Sequence, residues 1–165
     1  NDITYMNIIK SKTASLFSAA SEISAVLAKK NNKIQRALKI YGENLGVAFQ
    51  LVDDALDYVG NDKLGKQIGD DFREGKITLP VIISISKCNQ NEKSFWKKVI
   101  ENENKNKNDF NKALKIIKKY KGIEKTLQRA SEYSDSAIRS LDIFPNSIFK
   151  EALQELPKIA ISRNH

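Results

Sequence analysis

Three aspartates, Asp53, Asp54 and Asp57, are set into the apolar run Gly46-Val47-Ala48-Phe49-Gln50-Leu51-Val52-Asp53-Asp54-Ala55-Leu56-Asp57-Tyr58. Read as a helix at about 100° per residue, Leu45, Ala48, Phe49, Val52, Ala55, Leu56 and Val59 share one face that would meet a core. Gly46, Gln50, Asp53, Asp54 and Asp57 share a second, narrower stripe. Asp53 and Asp57 lie one turn apart, about 5–6 Å at Cβ, where like charges repel. Carboxylates crowded beside an apolar face need a compensating cation, and oxygen ligands with room for water suit Mg2+. A solvated acidic face is the plain alternative. Against it, the stripe holds Gly46 and Gln50 in place of surface lysine and glutamate.

The elements that must position these groups read as helices. A first helix is expected over 3–29, with Met6, Ile9, Thr13, Leu16, Ala20, Ile23 and Leu27 as its apolar stripe. Lys12 is one turn from Ile8 and Leu16 and is expected to flank that inward face. Either its stem snorkels along apolar surface, or its ammonium meets a buried anion. Asn31-Asn32 breaks the pattern, and the aspartate helix is expected over 33–59. Gly42 and Gly46, each costing about 1 kcal/mol against Ala in a helix, imply close packing or an approaching ligand.

Residues 60–75 read as a loop. Gly60, Gly65, Gly69 and Gly75 interleave with Lys63, Lys66, Asp70, Asp71, Arg73 and Glu74. Glycines let backbone N–H groups turn toward an anion, but the pattern is neither a P-loop nor a dinucleotide fingerprint, and an ordinary surface loop fits as well. Thr78-Leu79-Pro80 reads as a helix start with Thr78 as N-cap. The run that follows, to Lys87, could form a strand, but no partner strands are evident. Further helices are expected over 92–101, 110–121, 123–141 and 148–161, with Pro157 kinking or dividing the last. The expectation is an all-α chain forming a single helical domain over 1–165.

Composition narrows the function. The net charge is +8, but much of it is lysine in Asn/Lys-rich segments such as 102–108 and 115–121. The five arginines are scattered, so the gathered basic footprint of nucleic-acid binding is missing. No apolar run approaches the roughly 18 residues of a membrane span. Cys88 is the one cysteine, which fits a reducing compartment, and a cytoplasmic location is expected. The one histidine is His165, which argues against zinc sites and imidazole acid–base chemistry. The first residue is Asn1, with helical periodicity already running by Ile3, so a piece of a longer polypeptide is expected.

Three blocks, in order, carry a resemblance. They are Lys12-Thr13; Gly42-x-x-Leu45-Gly46-x-Ala48-Phe49-Gln50-Leu51-x-Asp53-Asp54-x-x-Asp57-Tyr58; and Gly65-Lys66-Gln67-Ile68-Gly69-Asp70-Asp71, followed by Glu74-Gly75-Lys76-Ile77-Thr78-Leu79-Pro80. Together they resemble the trans-isoprenyl diphosphate synthases (polyprenyl synthetases), over essentially the whole chain. The 152–163 region is similar to the ends of long-chain members that make octaprenyl diphosphate. The resemblance implies the C-terminal part of the isoprenoid synthase helical bundle. It also implies an Mg2+-dependent prenyltransferase that condenses an allylic diphosphate with isopentenyl diphosphate, making a long chain suited to a quinone.

By the same resemblance, Asp53 is the direct metal ligand, and Asp54 and Asp57 are ligands or hold its waters. Lys12, Lys66 and, less directly, Lys76 contact the allylic diphosphate. Thr13 and Gln50 place oxygens near the developing cation, with Lys12, Thr13, Gln50 and Asp53 as the catalytic set. Phe49 packs beside the isopentenyl site, and Asp71 steadies the metal ligands. Family members carry a first aspartate-rich motif and an isopentenyl diphosphate pocket upstream of Lys12-Thr13, and this chain has neither. The intact protein is expected to be a homodimer, and these residues alone are expected to catalyse little. A non-catalytic helper subunit and a terpene-cyclising relative are the competing readings. The binding motifs weigh against the first, and the Glu74–Pro80 block against the second.

Overall fold

Apolar residues recurring every three to four positions, with glycine, asparagine and proline between the runs, dictate helices joined by short turns. A computed structural model describes residues 1–59, 68–102 and 104–162. Among them the order is α1 (Asp2–Ile9), a π-turn (Lys10–Ala14), α2 (Ser15–Leu27), α3 (Asn32–Leu56), α4 (Asp70–Arg73), α5 (Leu79–Ile85), α6 (Gln90–Glu101), α7 (Lys107–Lys119), α8 (Gly122–Ser140) and α9 (Ile148–Ser162). The chain is all-α, as expected, and 79–85 is a helix and not a strand. Gly65 and Lys66 lie outside the described residues. The fold divides into two compact units, 53–127 with the first two residues, and 3–52 with 128–165, the divisions falling within α3 and α8.

The unit around 53–127 packs Ala55, Tyr58, Phe72, Val81, Trp96, Val99, Ile116 and Ile117 into one apolar cluster. Asn89 caps α6 through a reciprocal pair with Glu92, whose carboxylate also accepts from Lys119 (2.7 Å) and Tyr120 (2.6 Å), tying α6 to the end of α7. Those bonds, Lys119 first, hold the Glu92 carboxyl down to about 2. Gly69 opens α4 at φ 84°, a conformation that favours glycine, and a Cβ there would enter the Phe110 ring. This four-residue helix lies within the stretch 60–75, where the sequence predicts a loop.

In the other unit, Tyr41, Ala137 and Leu141 form a buried cluster flanked by Leu38, Leu45, Phe144 and Leu153. Pro157 neither divides nor ends α9. Proline has no N–H for the carbonyl four residues before it, here that of Leu153. The buried Tyr41 hydroxyl donates to that oxygen at 2.7 Å and takes the missing donor's place. Burial raises this phenol to about 12, so it remains a donor at neutral pH.

The first helical region corrects the expected stripe. Tyr5, Met6 and Ile9 are buried, but Leu16, Ile23 and Leu27 are 71%, 55% and 77% exposed. The cause is the π-turn over Lys10–Ala14. A π-turn holds one residue more than an α-turn, so every later position is rotated by one residue. The inward positions after it become Ala14, Ser18 and Ala25. Lys12, with Ile8 and Leu16, therefore lies on the exposed side of this unit and does not flank an inward face.

The buried face of α3 is shifted from the expected stripe. Ala48, Val52 and Ala55 are buried as expected and Val47 and Leu51 join them, with Tyr58 just past the helix end, whereas Leu45, Phe49 and Leu56 are half-buried and Val59 is 48% exposed. Its glycines meet α2 and the π-turn closely. A Cβ on Gly42 would lie 2.6 Å from Ser21 Oγ, and one on Gly46 would lie 2.7 Å from Ala14 Cα.

Candidate active site

The expected site residues fall in both units. In the unit containing 3–52, Lys12 and Thr13 occupy the π-turn. π-Turns interrupt the regular ladder and concentrate at functional positions. Thr13 Oγ1 donates to Gln50 Oε1 at 2.8 Å, joining the π-turn to α3 through the two residues expected to place oxygens near the developing cation. That bond orients the amide oxygen of Gln50. Phe49, next to it, packs against Phe17 with ring centroids 5.7 Å apart. Gly46 allows Ala14, the last residue of the π-turn, to rest on α3. Lys12 is exposed and lines a shallow groove with Thr4, Asn7, Ile8 and Ser11. Lys10, which the sequence reading passed over, turns toward α3 and pairs with Glu43 at 3.0 Å, which raises its pKa. The π-turn thus separates its two lysines, one anchored in the unit and one presented outward.

In the unit containing 53–127, Asp54 is buried at 3% exposure, while Asp53 and Asp57 are half-buried. A solvated acidic face is not what these residues form. Asp57 takes part in both directions. Its carbonyl accepts from Gly69 N–H at 2.8 Å, and its Oδ1 faces Asp71 N–H at 3.4 Å. Its Oδ2 is buried with no hydrogen-bond partner. Burial, and then the charge of Asp71, push the Asp57 carboxyl up to about 6. Lys76 donates to Asp71 at 3.1 Å and pairs with Glu74 at 2.6 Å, and these bonds raise its pKa. It is therefore the cation beside Asp71, a partnership the sequence reading did not foresee although the two are five residues apart. Thr78 has the extended backbone of an N-cap, but its hydroxyl makes no cap bond. That hydroxyl and the Tyr58 hydroxyl are both buried without a hydrogen bond of ordinary geometry.

Among the described residues, no three His, Cys, Asp or Glu side chains form a ready-made metal cage. Mg2+ does not need one, because it binds through one or two carboxylates together with phosphate oxygens and waters. The donor set fits that cation: all-oxygen ligands, and a buried Asp57 oxygen lacking a donor on a carboxyl that burial and Asp71 raise.

The Asp57 shift has a testable sign. Its ordinary value is 3.8 and its folded value is about 6, so between those pH values the folded state holds a proton that the unfolded state has released. Stability must fall as pH rises through this window and level off above it. Asp57→Asn keeps an oxygen for Asp71 N–H and removes the titration. Urea unfolding at several pH values is expected to show that the variant lacks this fall and is more stable than the parent chain at neutral pH. An unchanged pH profile would reject the shift.

An all-α fold with an aspartate-rich turn and a lysine–threonine pair whose threonine is bonded to a glutamine fits the expected isoprenoid synthase bundle. The polyprenyl synthetase family model matches residues 1–117, and the chain belongs to that family. It is 37% identical over 166 residues to octaprenyl diphosphate synthase of Haemophilus influenzae, covering 100% of this chain and 50% of that protein. It is 38% identical to geranylgeranyl diphosphate synthase of Saccharolobus solfataricus, covering 96% and 48%. Among solved structures, a polyprenyl synthase from Caulobacter crescentus, complexed with calcium and isoprenyl diphosphate, matches with TM-score 0.93 and 44% identity, covering 100% of this chain and 51% of that one. The chain spans about half the length of these relatives. Among the described residues, no helix is long and apolar enough to cross a membrane.

Proposed function

We propose that this chain supplies the leaving-group half of a polyprenyl diphosphate synthase. The reaction joins an allylic diphosphate to isopentenyl diphosphate with loss of diphosphate. The observation that carries the reading is the acidic turn at Asp53, Asp54 and Asp57, where burial and the charge of Asp71 raise the Asp57 carboxyl, in a chain similar over its full length to a synthase solved with a divalent cation and an isoprenyl diphosphate. Asp53 and Asp57 would hold Mg2+, with Asp54 steadying the turn. When bound, the cation supplies charge neutralisation for the departing diphosphate.

The chain's own residues do the rest. Lys12 and Lys66 bind the allylic diphosphate oxygens. Lys76 offsets Asp71 and keeps the acidic turn from over-accumulating negative charge. Thr13 and Gln50, already hydrogen-bonded, present oxygens to the positive charge that develops on the allylic carbon. Phe49 shields the isopentenyl double bond from water as it attacks. The proton lost from the new chain goes to the released diphosphate. The intact enzyme acts as a homodimer in the cytoplasm, and similarity to octaprenyl synthases favours a long product.

The test is product analysis after farnesyl diphosphate and labelled isopentenyl diphosphate are incubated with Mg2+ and this chain joined to the half of the Escherichia coli relative that it does not match. A ladder of prenyl diphosphates ending in a long chain is expected. Cyclised hydrocarbon products would favour a terpene cyclase, and no turnover beside a folded protein would favour a helper subunit.

A further inference from the structure

We propose that the α5–α6 and α7–α8 turns together form a binding site for a terminal phosphate group, with Lys87 and Lys125 as its two principal cations. None of the residues given a catalytic or substrate-binding role takes part, so the proposal stands or falls apart from the proposed reaction. The two turns are held side by side. Glu92, at the start of α6, accepts from Lys119 and Tyr120 at the end of α7. Gly122 opens α8 against α5, where a Cβ would lie 2.7 Å from Ser84 Oγ. Lys87 follows Ser84 by three residues and Lys125 follows Gly122 by three, so each stands about one turn beyond that contact. The two ammonium groups meet there: hydrogen bonding with Lys87, and then its charge, lower the Lys125 pKa. Lys121 adds a third lysine immediately before Gly122, at φ 56°, in a position after a helix where glycine is usual.

Like charges this close repel, and an anion between them would relieve the repulsion. The protein's own carboxylates do not fill that place. Glu92 is already bonded to Lys119 and Tyr120, and among the described residues no carboxylate pairs with Lys87, Lys121 or Lys125. A terminal phosphate fits the pair. It carries about 1.5–2 negative charges at pH 7, enough to face both ammonium groups, and lysine meets phosphate as a point charge without the fork of arginine. Nucleic acid fits less well, because no arginine occurs between Arg73 and Arg129. The same phosphate chemistry is offered by a soluble phosphate and by the headgroup of phosphatidic acid.

The experiment has one arm for each source and uses the 165-residue chain. Inorganic phosphate, titrated at constant ionic strength, is expected to shift the backbone amide signals of 87–89 and 121–125 saturably. Lys87→Gln with Lys125→Gln should weaken that binding at least tenfold without changing helicity. Lys29→Gln with Lys30→Gln, which removes the same charge from the unit containing 3–52, should leave it unchanged. In the second arm the chain is sedimented with phosphatidylcholine vesicles with and without phosphatidic acid. Sedimentation that requires phosphatidic acid and is lost in the Lys87/Lys125 variant alone assigns the phosphate to a lipid headgroup. Saturable amide shifts, with sedimentation indifferent to that pair, assign it to a soluble phosphate. The proposal is overturned if neither arm separates the two double variants, or if sodium chloride reproduces the shifts and sedimentation is unaffected by the Lys87/Lys125 change.

Discussion

Asp53→Ala in the joined enzyme is expected to lower isopentenyl transfer by at least about 10²–10³-fold, the loss seen when a group opposing developing charge is removed. The side chains of the three aspartates are not equivalent. Asp54 is buried at 3% exposure, so its removal would disturb packing as well as chemistry. Asp57 carries the pH-dependent burden on the fold. Asp53 is half-buried, one residue before Asp54 and one turn before Asp57, and its removal disturbs packing less than that of Asp54. Its substitution should leave far-UV circular dichroism and the unfolding midpoint unchanged. The loss should appear chiefly in kcat, because the interaction matters most as diphosphate departs. Near-normal turnover would reject Asp53 as the principal metal ligand.

Gly42→Ala is expected to cost about 1–3 kcal/mol of stability through overpacking, even though alanine is the better helix former by about 1 kcal/mol. The added methyl would lie 2.6 Å from Ser21 Oγ and 2.7 Å from the Phe17 carbonyl carbon. A serine hydroxyl can rotate away, but a main-chain carbonyl on α2 cannot, so α2 and α3 must separate. Separation would also loosen the contact at Gly46, where Ala14 rests on α3, and with it the Thr13–Gln50 bond. Urea unfolding should show a lower midpoint with an unchanged slope. A neutral or higher midpoint would mean that the two helices part without cost.

The elements with long, regular periodicity were legible from the sequence: α3 and α6–α9 lie within a few residues of their expected bounds, because each repeats its apolar positions without interruption. α4 was not, since four residues carry no period and its start depends on the left-handed backbone at Gly69. The inward face of α2 was misread because a period continued through Lys10–Ala14 assumes α-geometry there. Continuity of α9 through Pro157 was hidden because the compensating donor, Tyr41, lies 112 residues away. Within the candidate site, the family pattern assigned Thr13 and Gln50 one role, but their hydrogen bond was not legible, because a spacing of 37 residues says nothing by itself. The burial of Asp54 depends on tertiary packing, which no local pattern encodes, and the Lys76–Asp71 pair spans the end of α4, which itself was not legible.

The five-residue turn at Lys10–Ala14 gives sequence gaps in this helix a rotational meaning. Removing a single residue from it could leave an unbroken α-helix of nearly the same length and composition. The side chains beyond it would nevertheless keep their faces, because the residue removed is the one by which a π-turn exceeds an α-turn, and Ala14, Ser18 and Ala25 would still point inward. A one-residue difference between relatives here is therefore silent for the later faces, whereas the same deletion within the α-geometry of α2 would swing every side chain beyond it by about 100°. The helix is written in two reading frames, and Lys12-Thr13 is the punctuation between them.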